Sequence, residues 1–265
     1  MSYHAHYEGG NGLTWLTKPG QDSLKYIGFG MIDLEAGQQA GDTVADMEIT
    51  LVVLSGTCTV EAGGEKFENI GERTDVFSGR AAAVYLPPGV AFSVTAVNTC
   101  QVAVCGAPAS KGGPVKLITP ADNKSKVVGT GNYTRNVHDI IDMDCEAERL
   151  VIGETVNPPG NWSSYPPHKH DEDNLPAESK LEELYFYKLK PSQGFALQRL
   201  YTADGSMDET YTIQDNDYMA LPKGYHPICA GGGYELCYLW ILAGENRTLA
   251  PNDDPAHTWI RQQDA

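Results

Sequence analysis

The sequence predicts an all-β protein built as two tandem β-sandwich or barrel domains, and three observations carry that prediction. Apolar residues arrive in short bursts such as MEITLVVLSG, AAAVYLPPGVAFSVTAV, CQVAVCG, KLEELYFYKL, GFALQRLYT and ELCYLWILAG. Gly, Pro, Asn and Asp punctuate them at short intervals, in AGGE, PSQG, ADGS and AGGG, the texture of strands joined by tight turns. No stretch has the spacing of a long amphipathic helix. The third observation is that the chain matches itself.

Sliding the 265 residues against themselves aligns two blocks at one offset of 135. MEITLVVLSG falls on LEELYFYKLKP and LPPGVAF falls on LPKGYHP, so that Glu48 meets Glu183, Pro87 meets Pro222 and Gly89 meets Gly224. One such match is the ordinary strand-turn signal LPxG; two in one register point to a duplicated β-domain. We place the units at 1–135 and 136–265, with the boundary in GTGNYTRNVHDIID. At the same offset His168 and His170 fall opposite Asp33 and Glu35, and His226 opposite Ala91. The first unit is thus expected to keep the fold without the site.

The bulk composition excludes several partners. A formal charge of -16 with only 19 Lys and Arg disfavours nucleic acid and anionic membrane surfaces, because both need clustered cations. An anionic small molecule needs a local cation to hold it. Cys58, Cys100, Cys105, Cys145, Cys229 and Cys237 show no metal-ribbon spacing and several sit in apolar runs, which suits reduced thiols in the cytoplasm. MSYHAHYEGGNGLTWL has neither the basic nor the apolar part of a secretory leader, and no apolar run approaches the roughly 20 residues of a membrane span. A soluble, cytoplasmic protein is expected.

The chemistry concentrates in PPHKHDEDNLPAESKLEELYFY, Pro166 to Tyr187. On an extended strand His168 and His170 share a face, as do Glu183, Tyr185 and Tyr187, while Glu182, Leu184 and Phe186 take the other. Glu183 is preferred to Glu182 because it matches the repeat register and shares the face of the two tyrosines. His226 follows the Pro222-x-Gly224 turn of LPKGYHP. Three imidazoles and a carboxylate from three strands suit a divalent transition metal with positions left for substrate oxygens. His4-x-His6 lacks a strand glutamate at this spacing and reads as a solvated pair.

This order, His-x-His, then a strand glutamate, then a Pro-x-Gly turn leading to histidine, resembles the two motifs of the cupin superfamily. The duplicated layout resembles a bicupin, two tandem cupin-type β-sandwich or jelly-roll barrels. PPHKHD, ESKLEELYFY, GFALQRLYT, LPKGYHP, ELCYLWILAG, NDDPAHTWI and LTWLTKPGQDSLKYIGFG resemble the 5-deoxy-glucuronate isomerase family of myo-inositol catabolism from about residue 13 to 260. The 12 residues between His170 and Glu183 exceed the gap of a general cupin, and a longer loop is what this family's pattern implies.

The resemblance implies an aldose-ketose isomerase that converts 5-deoxy-D-glucuronate into 5-dehydro-2-deoxy-D-gluconate. One divalent metal on His168, His170, Glu183 and His226, with Zn or Mn foremost and Fe, Co or Ni open, would act as the Lewis acid, with no organic cofactor. Tyr185, Tyr187 and His257 are the candidates for moving a proton, and aromatic packing is the plain alternative for at least one tyrosine. Arg199, with Tyr201 on its face and Arg247 in reserve, is the candidate for the substrate carboxylate, against the alternative of a surface arginine.

Three alternatives stay open at this level: a 4-deoxy-hexosulose-uronate isomerase of pectin breakdown, an Fe(II) cupin dioxygenase, and a non-catalytic sugar-acid-binding bicupin. A homo-oligomer is compatible with exposed sheet edges.

Overall fold

The computed structural model describes residues 3–263. Among them there is no α-helix, only two short 3-10 turns at Gly131–Tyr133 and Thr258–Gln263, and no helix long and apolar enough to cross a membrane. In the first unit a six-stranded sheet runs in the order Lys116–Ile118, Ala83–Leu86, Met47–Ser55, Cys100–Pro108, Gly28–Leu34, Gly12–Thr17. A four-stranded sheet faces it: Gln39–Thr43, Ala91–Ala96, Cys58–Ala62, Glu65–Ile70.

The second unit repeats the plan. Its larger sheet has seven strands in the order His4–His6, Asp217–Leu221, Glu182–Lys190, Glu235–Ala243, Val151–Asn157, Arg135–Ile141, Lys124–Val128. Its smaller sheet runs Trp162–Ser163, Ile228–Ala230, Ala196–Tyr201, Asp208–Ile213, and a two-stranded ribbon pairs His168–Lys169 with Asn252–Asp253.

Three cores follow from this stacking. Each unit has its own, between its large and small sheets, and a third lies where the two large sheets meet, with Phe29, Val52 and Leu54 from one side against Leu184, Phe186 and Leu239 from the other. A central strand in either large sheet is therefore covered on both faces, and an apolar residue is favoured at nearly every position rather than at alternate ones. That is why MEITLVVLS and ELCYLWILA are continuous apolar runs, almost wholly buried.

The unit boundary differs from the expected one. Lys124–Val128 pairs with Arg135–Ile141 in the second unit's sheet, so the chain passes between units in residues 119–123. The glycine signal in GTGNYTRN marks the hairpin between these two strands: Gly129 and Gly131 have φ of 79° and 52°. Nor are His4 and His6 a solvated pair. Their strand edges the second unit's large sheet, and the rings sit 2.6 and 2.7 Å from the two oxygens of buried Asp217.

Polar contacts lock the units together with a pseudo-twofold relation. Glu48 accepts the backbone N–H groups of Glu148, Arg149 and Leu150, just ahead of Val151–Asn157. Glu182 accepts those of Lys25, Tyr26 and Ile27, just ahead of Gly28–Leu34. The partner of Glu48 is thus Glu182, not Glu183; by side-chain direction the match at offset 135 is one residue out of register. Gly28–Leu34 corresponds to Val151–Asn157, a shift of 123, so Asp33 and Glu35 are not the counterparts of His168 and His170. The extra residues of the second unit lie in the loop after His170.

Arg73 and Glu154 form a bidentate pair across the interface, with N···O of 2.8 and 2.6 Å and both side chains almost fully buried. Replacing Glu154 with Ala should lower the unfolding free energy by about 3–5 kcal/mol, because a buried guanidinium loses its partner. The double variant Arg73→Met/Glu154→Leu should regain most of it. Chemical denaturation of the three proteins measures both numbers.

Candidate metal centre

The strand Glu182–Lys190 positions the site through its alternation. Tyr185, Tyr187 and Leu189 point into the second unit's core and Leu184 and Phe186 into the shared one; Glu183 takes the direction of Tyr185 and Glu182 the opposite. His170 follows the ribbon strand, and its backbone carbonyl accepts the Leu181 N–H at 3.0 Å, which closes the long loop onto the glutamate strand. Gly224 turns the chain toward His226 with a φ of 93°. A Cβ there would sit 2.7 Å from the Tyr201 carbonyl oxygen, so glycine is required on both counts.

These elements bring His168, His170, Glu183 and His226 together. One nitrogen from each of the three imidazoles lies within 4.8 Å of the others, and Glu183 Oε2 is 3.1 Å from His170 Nε2 and 3.2 Å from His226 Nε2. The outer nitrogens face backbone carbonyls: His170 Nδ1 that of Leu181, His226 Nδ1 that of Gly224 at 2.9 Å. A carbonyl only accepts, so both Nδ1 atoms carry the proton and both Nε2 atoms present a lone pair inward.

Those lone pairs meet a carboxylate, which also only accepts. His226 Nε2 has no hydrogen-bond partner although it is fully buried. Burial holds the pKa of His168 and of His226 down at about 3, with the neighbouring imidazoles adding to the effect, so both are neutral bases at physiological pH. Burial also opposes charge on His170, but the hydrogen bond and charge of Glu183 outweigh it and raise its pKa. A proton can serve the His170–Glu183 pair and still leaves His226 Nε2 orphaned. A divalent cation would satisfy every inward lone pair at once, and the carbonyls behind the imidazoles are the outer support such sites use.

The loop that separates these residues is tied down by a residue that sequence reasoning left without a role. Glu178 is 2% exposed and takes Lys169 Nζ at 2.7 and 2.8 Å, the N–H groups of Asp171 and Glu172 at 2.6 and 3.0 Å, and Asn252 Nδ2 at 2.8 Å. Lys169 stands between the two histidines, so Glu178 holds the His-x-His strand itself. Asp171 reaches the other arm, its Oδ1 accepting the Gly224 N–H at 2.8 Å.

His168, His170 and Glu183 form one wall of a cavity of about 250 Å³, whose other lining residues include Arg135, Thr155, Ser164, Tyr185, Tyr238 and Trp240. Tyr185 Oη is 3.0 Å from Ser164 Oγ, and its ring stands edge-on to His226. Tyr187, in contrast, is fully buried behind the wall, donating to Gln198 Oε1 at 3.2 Å. His257 lies outside the lining, half-buried near Asp254.

Neither expected carboxylate clamp reaches the cavity. Arg199 sits on the outer side of the small sheet in a bidentate pair with Asp208, both contacts 2.8 Å, with its guanidinium over the Tyr201 ring. Tyr201 is buried and donates to Asp254. Arg247 is committed to the carbonyls of Leu150, Cys145 and Asp142. The arginine that does line the cavity is Arg135, which the sequence reading had assigned to a domain boundary. Tyr238 and Trp240 were findable by parity, since they pair with Tyr187 and Tyr185 across the sheet.

Replacing Glu178 with Ala should leave four donor groups without their acceptor and weaken metal retention by about 10- to 100-fold, while Glu178→Gln should lose less. Metal titration into the chelator-stripped proteins checks this.

Known proteins give the arrangement a context. The family model described as the KduI/IolB family matches residues 2–260. A protein of Geobacillus kaustophilus named 5-deoxy-glucuronate isomerase is 41% identical over 260 residues, covering 98% of this chain and 94% of the relative. An IolB-like protein from Salmonella typhimurium of known crystal structure superposes with a TM-score of 0.95 at 34% identity, covering 98% of this chain and all of the other. Oxalate decarboxylase of Lactobacillus farciminis, at 12% identity and a TM-score of 0.69 over 96% of this chain and 88% of its own, shares the fold alone. The chain belongs to the KduI/IolB family.

Proposed function

We propose that this protein is an aldose-ketose isomerase acting on 5-deoxy-D-glucuronate, with one divalent transition metal held by His168, His170, Glu183 and His226. One observation carries the reading: a buried set of acceptors, complete only with a cation, opens onto a cavity sized for a small sugar acid, in a chain 41% identical to a protein named for that isomerisation. Zn or Mn fits the imidazole-carboxylate donor set, and Fe, Co and Ni share that preference.

The metal, when bound, supplies Lewis-acid polarisation of the substrate carbonyl and its neighbouring hydroxyl. The protein's own residues do the rest. The rigid sheet fixes where those oxygens stand relative to Tyr185, whose hydroxyl is in the wall with Ser164 and can exchange a hydrogen bond with a substrate oxygen. Ser164, at a φ of 49°, is held in a conformation that aims its hydroxyl at Tyr185. The apolar part of the wall, with Val137, Trp240, Leu242 and Leu249, limits water around the reacting carbons. Tyr187 acts as a support, packed against Tyr185 and Tyr238.

His226→Ala should abolish bound metal and turnover together; a variant retaining both would remove His226 from the site. Elemental analysis of the purified protein should find about one equivalent of metal, and chelation should stop the conversion of 5-deoxy-D-glucuronate to a ketose. Turnover under anaerobic conditions separates this reading from a dioxygenase. A higher kcat/KM on the 4-deoxy-hexosulose uronate, assayed alongside, would transfer the assignment to that substrate.

Tyr185→Phe should lower kcat by about 100- to 10,000-fold with metal content unchanged if its hydroxyl moves the proton. A fall confined to KM would leave it a binding group.

A further inference from the structure

Arg135 is the only lysine or arginine among the residues lining the cavity that holds the histidine cluster. It opens the strand Arg135–Ile141, and Val137, two residues on and on the same face, lines the same wall. The guanidinium is held from behind: Nη1 donates to the Tyr133 carbonyl at 3.0 Å. Gly129 lets the hairpin close on that carbonyl: a Cβ there would meet the Tyr133 oxygen first, and would also stand 2.7 Å from Nη1. Its charge acts on both His168 and Tyr238, the first in the cluster and the second across the cavity.

The electrostatics of the whole chain make such a cation necessary. With a net charge of -16 the surface repels a sugar acid, and Glu183 puts a further negative charge in the site. A bound divalent ion can attract one end of the substrate. The far end of a six-carbon aldehyde acid carries its own carboxylate, and a planar guanidinium is the group that matches it with two parallel hydrogen bonds.

We propose that Arg135 is the carboxylate-recognition residue of this cavity, a specificity-determining group that binds the acid end of an open-chain uronate while the carbonyl end lies at the histidine cluster. The inference rests on the isomerase reading for the orientation of the substrate, but the binding site itself does not require turnover. It replaces Arg199 and Arg247, which are not among the residues lining this cavity.

Calorimetric binding of 5-deoxy-D-glucuronate to the metal-loaded wild type, Arg135→Met and Arg135→Lys tests it, with metal content and melting temperature measured on each. Affinity and kcat/KM should fall about 10- to 100-fold in Arg135→Met, as for loss of a hydrogen-bonded charge. Arg135→Lys should fall between, since an ammonium keeps the charge and loses the fork. The neutral analogue 5-deoxy-D-glucose should be discriminated against by the wild type and much less so by Arg135→Met. Unchanged uronate affinity in a fully metallated Arg135→Met overturns the proposal, whatever the turnover. Arg135-dependent binding without isomerisation by the wild type supports it and overturns the isomerase reading instead.

Discussion

The two-sided strand Glu182–Lys190 is the constraint on which the rest of the molecule depends. Its period of two sends one row of side chains into the second unit's own core and the other into the core shared with the first unit. A slip of one residue would exchange the rows, putting Glu183 into an apolar interface and Phe186 into the cavity. Burial on both faces forbids that slip far more strongly than burial on one. The position of the Glu183 carboxylate is thus set by the hydrophobic contacts of Leu184 and Phe186, which pack in the shared core.

Reciprocal clasps give that strand its register relative to the first unit. Glu48 and Glu182 each cap three backbone N–H groups at the start of the other unit's strand, and the Arg73–Glu154 pair adds a fixed point between them. In each unit the residue after the clasp glutamate turns into that unit's own core. It is Ile49 in the first, within an aliphatic core, and Glu183 in the second, at the histidine cluster. That position, the longer loop beside it and the turn carrying His226 separate a structural unit from one with a candidate site.

That loop also answers why two histidines in an acidic, proline-containing segment are not simply solvated. Glu178, buried among four donor groups, converts the segment from a tether into a brace: it fixes Lys169, hence the directions of His168 and His170, and Asp171 links the brace to the turn carrying His226. The alternating acidic residues of DEDNLPAESK differ sharply in role, and burial alone distinguishes them. Glu178 is buried while Glu172 and Asp173 face solvent.

Strand periodicity, turn glycines and the order of ligand types are local properties, and they made the all-β duplicated fold and the four converging residues readable along the chain. Parity pointed to Glu183 rather than Glu182, and Glu183 is the one that lies beside His170 and His226, whereas the repeat register reached the same residue by a one-residue misalignment. Long-range placement was beyond that reading. Whether Arg199, Arg247 or Arg135 faces the cavity depends on which carbonyls and carboxylates other strands bring beside each guanidinium. Glu178 likewise completes its set of donors only because the ribbon strand delivers Asn252 to it. Side-chain direction along a strand is set by backbone stereochemistry, which every short segment carries within itself; the identity of a neighbour from 81 or 157 residues away, as in Arg73–Glu154 or Lys25–Glu182, exists only once the sheets have stacked.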